Sequence, residues 1–115
     1  MSYAELNRRA NQLAHFLRWR GVGPDARVAI CVERGLPMIV ALLGTLKAGG
    51  GYVPLDPSYP AERLTHMLAD SAPLAVLVDG VGRAALGGAV RAELLVDLER
   101  ELPLWQEDAA SNPSS

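Results

Sequence analysis

The chain has 115 residues, half of them hydrophobic, and a formal net charge of −2. This length predicts one domain with an apolar core, and the near-neutral charge and few aromatic residues argue against nucleic acid and anionic membranes as partners. The longest apolar stretch, 38–46, is far shorter than the ~20 residues that span a bilayer. No signal peptide is recognisable, and the single cysteine, Cys31, fits a reducing compartment. We therefore expect a cytoplasmic chain.

The first half of the chain predicts two helices on either side of a buried strand. A capping box from Ser2 to Glu5 begins a helix, which leucines at helical spacing extend to about Arg20. Residues 27–33 are apolar on both alternating faces, which is typical of a strand buried on both sides. Apolar side chains on nearly every side of segment 36–48 predict a deeply buried helix.

The second half continues the alternation of helices and strands. Residues 52–55 predict a short strand in which Pro54 limits pairing, and residues 61–71 a helix after Pro60. Further strands are predicted at 74–79 and 93–98, with a short helix possible within 80–90. The alternation predicts an α/β fold, with a Rossmann-like, mostly parallel sheet and helices on both faces. Residues 1–103 would form this part, and the polar residues 104–115 a loose tail.

Three glycine-containing segments resemble phosphate loops to different degrees. Segment 44–51 lacks the Lys-Ser/Thr pair of a P-loop and is interpreted as a helix end. Segment 80–85 matches G-x-G-x-x-A after a strand, with Asp97 at a plausible distance, but glycines at 87 and 88 interrupt the helix that it would begin. We interpret it as a flexible surface connection, with a nicotinamide or flavin site as the alternative. Segment 21–23 follows a helix and is interpreted as its C-terminal cap.

None of the reactive side chains predicts an active centre. His15 and His66 lie on polar helix faces far apart in sequence and are too few for a metal cluster. Cys31, within an apolar strand, is interpreted as a core thiol. Asp56 is typical of a turn that its own side chain stabilises, and Lys47 complements a helix dipole. The sequence suggests no partner for the carboxylates of Glu5, Glu33, Asp56 and Asp79.

One long motif carries a resemblance to a known family. Residues 46–64, LKAGGGYVPLDPSYPAERL, closely resemble the second core motif of the adenylation domains of nonribosomal peptide synthetases, LKAGxAYVPLDPxYPxxRL. Residues 2–22 resemble the first core motif with its following helix, and the resemblance covers about residues 2–103. Asp56 and the YPxxRL ending favour the amino-acid-activating branch over the acyl-CoA ligases of the same superfamily. Gly51 stands where the family usually has alanine.

The resemblance implies the N-terminal part of the adenylate-forming enzyme fold. Whole enzymes of this family use ATP and Mg²⁺ to convert an amino acid to an aminoacyl adenylate, and then load it onto phosphopantetheine of a carrier domain. The implied partners are the remainder of the adenylation domain and the peptidyl carrier and condensation domains. The family's phosphate loop and catalytic residues come later in its sequence than this chain reaches. The resemblance therefore assigns no catalytic, cofactor-binding or metal-binding residue here, and we expect the chain alone to be inactive.

Two alternatives stay open from the sequence. The chain could derive from an acyl-CoA ligase of the same superfamily, or be a non-enzymatic piece, either decayed or a scaffold for a separately encoded remainder. Parallel strands without their neighbours would leave sheet edges and apolar faces uncovered. We therefore expect the isolated chain to be poorly soluble, associated or partly ordered. The sequence leaves open which amino acid is activated.

Overall fold

The computed structural model describes residues 2–33 and 35–98. Its elements, in chain order, are α1 (Tyr3–Trp19), β1 (Arg27–Cys31), α2 (Leu36–Ala48), β2 (Gly51–Pro54), α3 (Ala61–Ser71), β3 (Ala75–Val78), α4 (Gly80–Leu86), a 3-10 turn (Ala92–Leu94) and β4 (Leu95–Asp97). The predicted alternation of helices and strands is confirmed. The predicted tail at 104–115 lies outside the described residues.

The four strands form a parallel sheet in the order β2-β1-β3-β4. The chain runs from β1 outward to β2, then crosses back to β3 on the other side of β1. The direction of winding therefore reverses between β1 and β3, and Val28 of β1 lies in register with Tyr52 of β2 and Ala75 of β3. The short edge strand β2 contains Pro54, as expected for a residue that donates no ladder hydrogen bond.

Two apolar cores lie on opposite faces of the sheet. Helices α1 and α2 cover one face, whose core includes Leu13, Leu17, Val28, Ile30, Val40 and Leu77. Helices α3 and α4 cover the other, whose core includes Ala29, Cys31, Leu64, Leu68, Val76, Val78 and Leu86. Successive residues of β1 and β3 thus enter different cores, because side chains alternate across a strand. This explains why residues 28–31 of β1 and all residues of β3 are apolar, and it confirms helices on both faces.

Some element boundaries differ from the prediction for local reasons. Strand β1 ends at Cys31, and the backbone N–H of Glu33 donates to the carboxylate of Asp79 at 3.0 Å instead of joining a ladder. Residues 92–94 form a 3-10 turn, so the last strand begins at Leu95. The end of helix α1 agrees with the prediction, since its last residue is Trp19 and Arg20 is its C-cap.

Helix α2 is less buried than its composition predicts. One face packs on the sheet and on α1, whereas Leu36, Ile39 and Leu46 on another face expose 42%, 41% and 57% of their surface. The prediction of a deeply buried helix is therefore wrong for these residues, because a helix on one face of a sheet buries only the sides that meet its neighbours. Despite this composition, none of the helices in the described ranges is long and apolar enough to traverse a bilayer.

Candidate functional site

A crevice of about 690 Å³ lies at the carboxyl edge of the sheet. Open α/β sheets bind ligands outside the carboxyl ends of their strands, where the winding reverses, so this edge is the place to look for a site. Its wall is mainly apolar, with two carboxylates at the rim. The lining residues include Val32, Glu33, Met38, Leu55, Asp56 and Tyr59.

The segment after β2 forms one wall of this crevice. The carboxylate of Asp56 accepts the backbone N–H of Ser58 at 2.9 Å and its hydroxyl at 2.8 Å, which confirms the predicted turn. Leu55 is buried beneath it. The guanidinium carbon of Arg63 lies 4.1 Å from the ring centroid of Tyr59, a cation–π contact that ties α3 to this turn. These motif residues therefore shape the backbone here.

Asp79 joins the carboxyl ends of β1 and β3. It is 5% exposed, and its two oxygens accept the backbone N–H of Gly82 at 2.7 Å and that of Glu33 at 3.0 Å. These charge-assisted bonds compensate the buried carboxylate for lost water, and its charge is favourable at the N-terminus of α4. No partner for Asp79 was evident from the sequence. Its position between a predicted strand and a possible helix could have identified Asp79 as an N-cap, because aspartate is a preferred N-cap residue.

The G-x-G-x-x-A segment at 80–85 begins α4 and is not arranged as a dinucleotide loop. Asp79 occupies the Gly82 N–H that a phosphate would need, and its negative charge would repel that phosphate. A methyl group at Gly82 would overlap the carbonyl oxygen of Cys31 and lie 2.7 Å from its carbonyl carbon. Gly82 thus serves close packing of α4 on β1. The short helix considered possible within 80–90 is confirmed as α4, so this segment is not a loop connection. Its geometry does not support a nicotinamide or flavin site.

The other two glycine segments end helices, as predicted. Gly49 has a φ of 87° and donates its N–H to the carbonyl of Leu46 at 3.0 Å. Gly21 has a φ of 95° and donates to the carbonyl of Arg18 at 3.0 Å. Both segments lie at helix C-termini, where the partial negative charge disfavours a phosphate.

The remaining polar residues are dispersed. His15 and His66 are exposed on helices that cover opposite faces of the sheet, and within the described ranges no three His, Cys, Asp or Glu side chains are grouped so as to hold a metal ion. Lys47 is exposed in the last turn of α2. Glu5 does have a partner, because Arg9 one turn later donates to its carboxylate at 3.0 Å. The i,i+4 spacing in α1 was a signal for this pair.

Cys31 gives the stability of the fold a predicted pH dependence. Burial raises the pKa of its thiol from 9.0 to about 11, and the negative charges of Asp79 and Asp56 add to the rise. Between pH 9 and 11 the unfolded thiol ionises while the folded one keeps its proton. The stabilisation is thus complete below pH 9 and is lost as pH rises through about 11, by roughly 2–3 kcal/mol.

Urea unfolding at pH 8, 9, 10 and 11 checks this dependence. The control is Cys31→Ala, which we expect to be less stable at every pH because of its cavity, but to lose less stability between pH 9 and 11 than the unmodified chain does. Equal losses in the two proteins over this range would contradict the prediction.

The fold defines the chain as a doubly wound α/β protein, and comparison with known proteins defines the class further. The family described as AMP-binding enzyme matches residues 1–114, and the chain belongs to this family. It is 50% identical to malpinin synthetase of Mortierella alpina over 114 residues, 98% of this chain. It is 53% identical to tyrocidine synthase 3 of Brevibacillus parabrevis over 95 residues, 83% of this chain.

Solved structures point to the same class. The nonribosomal peptide synthetase FmoA3 superimposes on 90% of this chain with a TM-score of 0.81 and 30% sequence identity. The resemblance to nonribosomal peptide synthetases is therefore confirmed, and the adenylation-domain interpretation is favoured over its alternatives. The chain spans only 1% and 2% of the two curated relatives and 11% of the FmoA3 chain.

Proposed function

We propose that this chain is a structural segment of an adenylation domain, whose whole enzyme activates an amino acid with ATP. The observation that carries this proposal is the crevice wall formed by residues 54–59, which Tyr59 joins to Arg63 of α3. Asp56, Tyr59 and Arg63 make its contacts there, and they are the residues by which the second core motif resembles the amino-acid-activating branch. The 50% identity to malpinin synthetase over nearly the full chain supports the same proposal.

The described residues do not fit ATP or Mg²⁺. Asp79 already fills the N-terminus of α4 at the carboxyl edge, and the carboxylates of Glu33 and Asp56 at the crevice rim would repel a triphosphate. No metal-ligand group is present within residues 2–33 and 35–98. We therefore assign nucleotide binding and the chemical steps to polypeptide outside these residues. The described residues contribute the carboxyl edge of a sheet, stabilised by the hydrogen bonds of Asp79 and Asp56, on which that polypeptide would fold.

The partners follow from this assignment. They are the remainder of the adenylation domain and the peptidyl carrier and condensation domains of the parent synthetase, in the cytoplasm, with phosphopantetheine on the carrier as the acyl acceptor. FmoA3 has been solved with AMPPNP and with α-methyl-L-serine-AMP bound. These ligands of a relative support ATP as the activating substrate and an aminoacyl adenylate as the product of the first step.

Amino-acid-dependent exchange of labelled pyrophosphate into ATP tests the proposal. We expect no exchange above background from the 115-residue chain with any proteinogenic amino acid, because its described residues hold no triphosphate site. We expect exchange when the same chain replaces the 114-residue segment that it matches in an adenylation unit of malpinin synthetase. Exchange by the chain alone, or a folded chimera without exchange, would contradict the proposal.

A further inference from the structure

Three polar atoms on one side of α1 are buried without a hydrogen-bond partner within residues 2–33 and 35–98. They are Nε of Arg9 and both polar side-chain atoms of Gln12, Oε1 and Nε2. Gln12 is only 3% exposed. Steps of three and four residues place Arg9, Gln12, Phe16 and Arg20 on this side of the helix, called here the α1 flank. Because folded proteins pair nearly all buried polar groups, these three atoms indicate a partner.

The α1 flank lies beside the end of the described chain. Arg20 donates from Nη2 to the backbone carbonyl of Glu93, just before β4, at 2.6 Å. Leu98, directly after β4, is 2% exposed and belongs to the same core as Leu13 and Leu17 of α1. The chain that follows Leu98 therefore begins in contact with the core under α1, close to the three unpaired atoms.

The first residues after Leu98 have the chemistry that the α1 flank needs. Oε1 of Gln12 needs a donor, whereas Nε2 of Gln12 and Nε of Arg9 need acceptors. Residues 99–101 read Glu-Arg-Glu, so they offer backbone N–H groups to the first atom and two carboxylates to the other two. Charge favours this match, because a carboxylate beside Arg9 accepts a charge-assisted hydrogen bond. Three residues span up to about 10 Å, which suits a contact this near to Leu98.

We propose that the α1 flank binds residues 99–101 of this chain, through the carboxamide of Gln12 and the Nε–H of Arg9. Gln12 then joins α1 to the chain that follows β4, as Arg20 joins α1 to the chain that precedes it. This explains why α1 buries a glutamine. The inference goes beyond the proposed function and does not rest on it, since every group involved belongs to the 115-residue chain. A water molecule is the competing partner.

Hydrogen exchange of backbone amides in the whole 115-residue chain, measured by NMR, tests this inference. Gln12→Met removes both polar atoms and keeps an unbranched side chain of similar helix propensity. Lys47→Met is the matched control, because Lys47 is exposed in the last turn of α2. The amides of Val28 and Ile30 in the central strand report global stability, so a local change at 99–101 can be distinguished from unfolding.

We expect at least one amide of residues 99–101 to exchange about a hundredfold more slowly than in an unstructured peptide. Gln12→Met should speed its exchange about tenfold more than exchange at residues 28 and 30, because the acceptor of its N–H is lost. Lys47→Met should leave its exchange unchanged. If Gln12→Met does not fold, Arg9→Lys, which keeps the charge but lacks the Nε–H, should speed the same exchange about threefold.

Two results would overturn the inference. One is exchange of all three amides at the rate of an unstructured peptide in the unmodified chain. The other is a protected amide whose exchange relative to residues 28 and 30 is the same in Gln12→Met, or in Arg9→Lys where Gln12→Met does not fold. That second result would assign the polar atoms of the α1 flank to water.

Discussion

Gly82→Ala is expected to lower the free energy of unfolding by about 3 kcal/mol, because the added methyl group meets backbone and not a movable side chain. The overlapping atoms are the carbonyl oxygen and carbon of Cys31 at the end of β1. Cys31 is held in the central strand, in register with Val78 of β3. The overlap can be relieved only if α4 moves away from the sheet. That movement would weaken the apolar core that α3 and α4 form with the sheet, around Leu86.

The matched control is Gly88→Ala, where a methyl group would meet no atom within 4 Å. We expect its effect to stay within about 0.5 kcal/mol. Urea unfolding followed by far-ultraviolet circular dichroism would measure both variants against the unmodified chain, at a dilution at which the chain does not associate. If Gly82→Ala proved as stable as Gly88→Ala, α4 would not pack on β1 as described.

Asp79→Ala is the second substitution with a large expected effect, a loss of about 3 kcal/mol. It removes the N-cap of α4 and leaves the buried N–H of Gly82 and the partly buried N–H of Glu33 without their acceptor. Asp79→Asn keeps one side-chain oxygen as an acceptor, so we expect it to lose about 1 kcal/mol. The difference in unfolding free energy between the two variants measures the contribution of the side-chain hydrogen bonds that join the ends of β1 and β3.

Asp70→Ala serves as the control for Asp79, since Asp70 is exposed near the end of α3. We expect it to change stability by no more than about 0.5 kcal/mol. Hydrogen exchange at the amides of residues 33 and 82 would locate the effect of each variant. Unchanged exchange at both amides in Asp79→Ala would show that the carboxylate does not hold them.

The fold was predictable because its main signals are local. Apolar side chains on both faces of 27–33 and 74–79 predict buried parallel strands, and the glycines and prolines of 49–60 mark a helix end, an edge strand and a turn. The turn at Asp56 was equally predictable, because its hydrogen bonds reach only two residues along the chain. Local geometry of this kind depends little on the rest of the molecule.

The features that the sequence analysis missed depend on distant contacts. Asp79 bonds the N–H of Glu33, 46 residues away, and Gly82 packs on Cys31, 51 residues away. Neither of these two contacts can be predicted from the periodicity of apolar residues in the sequence. The exposed side of α2 was not predictable, because a helix that is apolar on nearly all sides has no amphipathic pattern. Without that pattern the sequence does not indicate which face turns away from the sheet. The positions of α1 and the sheet decide which side of α2 is exposed, and these positions depend on the whole fold.

The crevice at the carboxyl edge shows how the motif and the sheet are connected. Asp56 and Tyr59 form one wall of it, while Asp79 braces the ends of the two strands where the winding reverses. All of these contacts are made within the described chain and use backbone groups or neighbouring side chains. The second core motif is therefore best explained as a device that sets the shape of this edge, with the reacting groups supplied elsewhere in the enzyme.

Pyrophosphate exchange by the malpinin synthetase chimera tests this account most directly. The chimera and the unmodified adenylation unit are compared with the amino acid that gives the unmodified unit its highest exchange. We expect the folded chimera to retain this amino acid preference, because residues 2–98 contribute scaffold and not chemistry, and we expect the isolated chain to show no exchange. A folded chimera that is inactive, or that prefers a different amino acid, would contradict the account.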